Sequence, residues 1–271
     1  MKKAFLLLFL VLALITQAQK RTFLSRSEIG FHVGQTYYLG DLNPYKQFNN
    51  AHLAGGLLYR YNFNNRLALR LNYLYGQVSA ADSTSPYPLL VNRNLSFQSK
   101  LHEVAAGLEF HYVPFQFGSS RYPATAYLLA QVGVFHMNPQ VYYNNAWQDL
   151  QPLATEGQGT SANAQKPYNL YQLCLPLGMG VKVSLGKMAT FNLDLAIRKT
   201  FTDHLDDVGA DFYADPQILS DEVSQVAATL SNQSLDGNRF GKRGTSTTND
   251  WYVYAGASLT IRLGKGGGCF Y

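Results

Sequence analysis

Trp251-Tyr252-Val253-Tyr254-Ala255-Gly256-Ala257-Ser258-Leu259-Thr260-Ile261-Arg262-Leu263 is the stretch that decides the fold. One parity holds Trp251, Val253, Ala255, Ala257, Leu259, Ile261 and Leu263, and the other holds Tyr252, Tyr254, Gly256, Ser258, Thr260 and Arg262. A period of two marks a β-strand whose faces meet different surroundings. The run is longer than the usual soluble strand of about 5–6 residues and covers the roughly 9–11 tilted residues needed to cross a bilayer. An apolar face turned to hydrocarbon forbids an open edge, because unpaired backbone groups there cost several kcal/mol each. The strand is therefore expected to close an antiparallel barrel against the first one.

The start of the chain points to export. Lys2 and Lys3 precede an apolar run over residues 4–15, and Thr16-Gln17-Ala18 is a small-residue cleavage site. This pattern predicts a signal peptide over 1–18 and a single domain over 19–271. No later run is apolar for 18 residues, so spanning is expected from strands alone. Charged residues make up 14% and aromatics 14%, with 19 Tyr and 16 Phe. A charged share well below the usual 25% or so, with many tyrosines, fits a lipid-facing wall with aromatic girdles. The formal charge of +5 includes the two early lysines, and no basic cluster has the shape of a nucleic-acid footprint. Two cysteines, Cys174 and Cys269, make no disulfide framework.

Eight alternating runs are expected, over 28–39, 52–63, 66–76, 95–112, 124–137, 168–185, 189–201 and 251–263. Pro176 within the sixth predicts a bulge, since proline removes a ladder donor. Connections after odd strands lengthen from about ten to nearly fifty residues while those after even strands stay short, as in transmembrane barrels with short periplasmic turns and long outer loops. Both termini then fall on the periplasmic side. The residues from 138 to 167 read as a loop. The last loop carries one helical signal, with Asp215 as N-cap, Pro216 at the first position and Leu219, Val223, Val226 and Leu230 on one stripe. The fold class expected is all-β, an eight-stranded antiparallel transmembrane β-barrel with a short helix in the last outer loop.

The inward parity collects Glu28, His32, Arg60, Arg70, Glu103, Glu109, Lys182, Asp194, Arg198 and Arg262. Near balance of sign is what a narrow lumen needs, because an isolated buried charge is very costly. An eight-stranded barrel is just wide enough for side chains to fill. These charges therefore read as a structural plug, with a proton or ion path as the alternative. Asp203, Asp206, Asp207, Asp211 and Asp215 could offer oxygens to calcium, but lack an EF-hand's glycine and terminal Glu, so a solvated or helix-capping loop is preferred. The sequence holds no nucleophile elbow, zinc-binding His pair or phosphate loop. No enzyme, metal or cofactor is expected.

The loops carry a family likeness: Gly40-Asp41-Leu42-Asn43-Pro44, Arg93-Asn94-Leu95-Ser96-Phe97, Met137-Asn138-Pro139, Leu150-Gln151-Pro152-Leu153 with Thr155-Glu156-Gly157-Gln158-Gly159, and Thr202-Asp203-His204-Leu205-Asp206-Asp207-Val208. In these pieces, spread over nearly the whole mature chain, it resembles the PorG-type outer-membrane barrels of the type IX secretion system of Bacteroidetes. His204 departs from the tyrosine expected there. The resemblance implies a non-enzymatic outer-membrane component associating with the periplasmic ring of the lipoprotein PorK and PorN, and it brings no catalytic residues. The docking face is expected on the short turns and the tail, with Phe115, Phe117, Arg121, Tyr122, Lys265, Phe270 and Tyr271 as candidates. A small structural barrel of the OmpA or OmpW kind and a barrel lipid A hydrolase are the alternatives.

Overall fold

The computed structural model describes residues 27–239 and 241–263. The expected signal peptide and the candidates Lys265, Phe270 and Tyr271 lie outside the described residues. The strands are β1 (Ser27–Leu39), β2 (His52–Asn62), β3 (Leu67–Ala81), β4 (Ser96–His111), β5 (Ala124–His136), β6 (Pro139–Tyr143), β7 (Ala146–Asp149), β8 (Tyr171–Leu185), β9 (Ala189–Thr200) and β10 (Trp251–Leu263). Eight of them close an antiparallel barrel in the order β1-β2-β3-β4-β5-β8-β9-β10, and β10 returns to β1 from Ser27↔Leu263 to Leu39↔Trp251. Closure leaves these strands without a free edge, the condition that hydrocarbon imposes.

Alternation sorts the side chains. Phe31, Leu57, Val104, Leu128, Met179 and Leu195 are among the large apolar residues exposed on the outer wall, while the opposite parity is buried inside. From Tyr112 to His102 the wall spans about 25 Å, allowing roughly 3.4 Å per residue and a tilt near 40°, which matches the apolar band of a transmembrane barrel. Its loop-side border is a register row: Tyr75 pairs with His102, His102 with His136 and His136 with Tyr171. One end of the barrel carries the short turns together with Ser27 and Leu263, and the other carries the long loops. They are called the turn end and the loop end below.

Four local features differ from the sequence reading. β3 continues to Ala81 because the first half of β4 stays paired with it out to Ala81↔Ser96. At that height the outer face turns polar, with Gln77 and Ser79, so the apolar alternation fades before the strand ends. The expected loop over 138–167 holds the β6–β7 hairpin, turned by Asn144 and Asn145 at φ 49° and 61°. Asparagine tolerates this left-handed backbone, which suits a two-residue hairpin. Pro176 makes no bulge. The β5–β8 ladder skips two rungs between Ala130↔Leu177 and Gly133↔Cys174 and resumes in the same register.

The fourth difference concerns the helix. Two short helices, α2 (Pro216–Glu222) and α3 (Gln225–Ser231), replace the single one expected, and a further short helix, α1 (Pro88–Arg93), lies in the β3–β4 loop. Ser224 is extended at φ −174° and accepts from Ala227 N, so it caps α3 and ends the run from Asp215. Asp215 caps α2 as expected, accepting from Gln217 N. Of the two, α3 packs on the barrel mouth: Leu230 is buried with Tyr38, Phe97, Leu101, Phe135, Leu205 and Tyr252 in the main apolar core. That core sits at the loop end, where inward strand positions become aromatic and aliphatic. The charged positions occupy the middle and the turn end.

Candidate functional site

Three polar assemblies are stacked along the barrel. The first fills the lumen. Arg60 joins two carboxylates, with Nη1 donating to Glu28 at 2.7 Å and Nε to Glu109 at 2.9 Å. Glu28 also accepts from Asn62 and Thr260, at 2.7 Å each. Glu109 takes Lys182 at 2.9 Å and His111 at 2.8 Å, and Arg70 reaches Asp194 at 2.7 Å. Tyr127 donates to Asp194 at 2.5 Å. Higher up, Arg198 and the Tyr252 hydroxyl meet on Glu103 at 3.1 and 2.6 Å, and His32 meets Tyr254 Oη at 3.0 Å.

All nine charged lumen candidates are buried, from 0% exposed at Arg60 and Glu109 to 9% at Arg262. Each carboxylate has a cation within salt-bridge distance. Sharing acids between bases satisfies several lone pairs at once, the condition under which buried ion pairs are tolerated. Arg262 stands apart. Among the described residues its guanidinium joins no ion pair, its Nε has no hydrogen-bond partner, and its neighbour is the Phe117 ring at 5.8 Å.

The second assembly caps the loop end and gathers residues far apart in sequence. Arg93 makes a two-pronged pair with Asp82, both contacts at 2.7 Å, and donates to the carbonyls of Asp41 and Arg243. Arg243 binds Glu156 and the Asp207 carbonyl, and Glu156 also accepts from Gly209 N and Ala210 N. The Tyr38 hydroxyl lies 2.5 Å from Asp206 Oδ2 and 2.7 Å from Asp250 Oδ1. A phenol has one hydrogen, so both contacts are full hydrogen bonds only when one carboxyl carries a proton. Gly40 packs on this pair, and a Cβ there would overlap both Asp250 Oδ1 and Tyr38 Oη.

The electrostatics of the cap follow from burial with few cations. Burial, then the charges of Asp250 and Asp41, push the Asp206 carboxyl far above the usual range. Burial likewise raises Asp250, against the Tyr38 hydrogen bond. Asp203 is pushed up to about 9 by burial and by the neighbouring Asp206, Asp41 and Glu156. Asp207 rises to about 6, burial outweighing the opposing Arg243. Burial lowers His204, which stacks on Tyr168 at 4.6 Å.

The five aspartates read as a possible calcium loop do not act together. Asp215 caps a helix, Asp211 pairs with Lys242 at 3.0 Å, and Asp207 serves Tyr168 and Arg243. Sequence reasoning missed Tyr38, Arg93, Glu156, Arg243 and Asp250 as partners. The one signal available was that Gly40, Asp41, Arg93, Glu156, Asp206 and Asp207 all fall in the loop motifs of the family likeness.

The third assembly is the turn end. Phe115 N donates to Asn65 O at 2.9 Å, Arg66 to Tyr112 O at 2.7 Å and Gly118 N to Ser184 Oγ at 3.0 Å, so the three turns form one surface. Of the docking candidates, Phe115 is 3% exposed and lies under Lys182 Nζ at 4.9 Å, inside the mouth. Phe117 is half-buried beside Arg262. Both aromatics face the barrel, because the turn can cover the charged lumen only by folding its apolar side inward. Arg121 is exposed beside Tyr122, 5.2 Å from its ring.

The family model "Domain of unknown function (DUF6089)" matches residues 2–215. The chain belongs to this DUF6089 family. No curated protein matches the sequence. Among solved structures, Neisserial surface protein A is similar at 8% identity and TM-score 0.43, covering 88% of this chain and 97% of that one. Ail, the attachment invasion locus protein of Yersinia pestis, is similar at 12% identity and TM-score 0.42, with 88% and 99% covered. The outer membrane protein OprG from Pseudomonas aeruginosa is similar at 9% identity and TM-score 0.41, with 88% and 98% covered. Within the DUF6089 family, this chain has the architecture of a closed barrel with an apolar outer wall, a charged lumen and a capped loop end.

Proposed function

We propose that this DUF6089 protein is an integral, non-enzymatic outer-membrane component of the type IX protein secretion system. Its loop end faces outward, its turn end faces the periplasm, and the ring of PorK and PorN docks on the turn end. The observation that carries the membrane part is the pairing of an apolar outer wall with a lumen packed by shared ion pairs. Such a body is held by lipid and is suited to anchoring machinery, whereas conduction needs an open aqueous path. The secretion part is supported by the loop motifs, which resemble PorG-type barrels and gather into one cap. The exposed residues of the turn end, Arg66, Arg121 and Lys187, replace Phe115 and Phe117 as the contact candidates.

Deletion of the gene tests this reading. Export of type IX cargo should stop, and the tagged protein should bring down the ring; intact export would defeat the proposal. The second reading is a small structural barrel of the OmpA or OmpW kind, supported by the self-sufficient lumen network. It expects envelope fragility in the deletion strain with cargo export unchanged. Unaltered lipid A on overexpression, seen by mass spectrometry, would set aside a barrel hydrolase.

A further inference from the structure

The charges of this chain are segregated along the barrel axis. Of its 17 carboxylate residues, Glu28, Glu103, Glu109 and Asp194 lie in the lumen and the other thirteen belong to the loops between Asp41 and Asp250. The turns contain none. Among the described residues they carry Arg66, Arg121 and Lys187, all exposed. Within the mouth framed by these turns lies Arg262, nine-tenths buried and without a carboxylate, although every acid of the lumen above is committed to another cation. Its Nε has given up its water without gaining a partner, and no counter-charge stands beside the guanidinium.

We infer that the turn end is a docking face for an acidic segment of a periplasmic protein, one of whose carboxylates reaches Arg262 past Phe117 while others meet Arg66, Arg121 and Lys187. The sidedness rests on the proposed function; the charge complementarity does not. Anionic lipid headgroups are the competing occupant, and the position of Arg262 argues against them. It points into the barrel, away from the wall where lipids lie, and a side chain entering from below reaches it. The surface is preformed, since the turns are tied to one another by Asn65, Tyr112 and Ser184, so little ordering opposes association.

The test uses the full mature protein in phosphatidylcholine nanodiscs and a fluorescent decaglutamate peptide, with decaglutamine as control. Decaglutamate alone should bind, weakening as salt screens the contacts. R66E/R121E/K187E should weaken it roughly tenfold or more, R262Q several-fold, and K100E at the opposite end not at all. R121E/K187E, confined to turn tips, serves should the triple variant fail to fold. Equal binding of the peptide by wild type and turn variants, or none, overturns the inference. Loss of peptide binding when phosphatidylglycerol enters the disc assigns the face to lipid and also overturns it. The secretion reading fails separately: it falls when deletion leaves export intact. The acidic partner falls when the peptide result is negative or the charge-reversed protein fully restores export.

Discussion

At the residue scale the lumen depends on a few shared cations. Arg60 serves both Glu28 and Glu109, so Arg60→Met leaves two buried carboxylates short of partners, a loss of about 3–5 kcal/mol for a broken buried pair. Urea unfolding in lipid vesicles, followed by the gel shift between folded and unfolded barrel, should show the fall, with Arg60→Lys intermediate. Gly40→Ala places a methyl group on the Tyr38–Asp250 contact. Limited proteolysis should then cut the loop end faster while the barrel itself stays folded. The acids of the cap set a pH dependence with a definite sign. A carboxyl whose folded pKa is raised stabilises the fold fully below its unfolded pKa, near 4, and loses that contribution as pH rises through the folded value. For Asp207 and Asp203 those values are about 6 and about 9. Hydrogen-exchange protection at residues 203–208, taken relative to the intrinsic exchange rate at each pH, should therefore fall from pH 5 to pH 9. Asp250→Asn should flatten the change, because an amide keeps the Tyr38 contact without ionising.

At the element scale the loop end is a separate layer set on a finished barrel. α2 and α3 contribute Leu219, Ala227 and Leu230 to the buried set, and Arg243 holds the Ser231 carbonyl beneath them. Replacing residues 216–231 with a short Gly-Ser linker should leave all eight barrel strands formed, as judged by resistance to unfolding in detergent. It should also expose Tyr38, Phe135 and Leu205 to a hydrophobic dye. A protein still resistant to proteolysis at 203–212 would show that the helices are dispensable to the cap. The helical break was legible, since Ser224 is a good N-cap placed three residues before Ala227. The apolar stripe hid it, because Leu219, Val223, Val226 and Leu230 keep helical spacing across the break.

For the whole molecule, a filled lumen predicts no porin-sized conductance. Planar-bilayer recordings of purified protein should stay silent, and the α2–α3 replacement should stay silent too, because the ion pairs below the cap remain. Steady large openings in either protein would mean that the lumen network opens in lipid. The charge segregation adds a further whole-molecule property. A basic turn end and an acid-rich loop end give the barrel a dipole along its axis, independent of any one residue.

The number, order, facing and closure of the eight barrel strands could be read from the sequence, because a barrel wall between lipid and packed lumen forces alternation on each of them and a one-residue slip would turn each face inside out. The inward charges Glu28, Arg60, Arg70, Glu103, Glu109, Lys182, Asp194, Arg198 and Arg262 were legible for the same reason. Tertiary structure alone decided their partners, since Arg70 and Asp194 lie 124 positions apart and only curvature across the lumen brings them together. It alone decided that Arg93, Glu156, Arg243 and Asp250 form one cap, because loops have no period to reveal which way a side chain turns. Tertiary structure also set Phe115 inside the mouth: a turn's apolar side goes wherever uncovered surface remains, and that surface exists only once the barrel has closed.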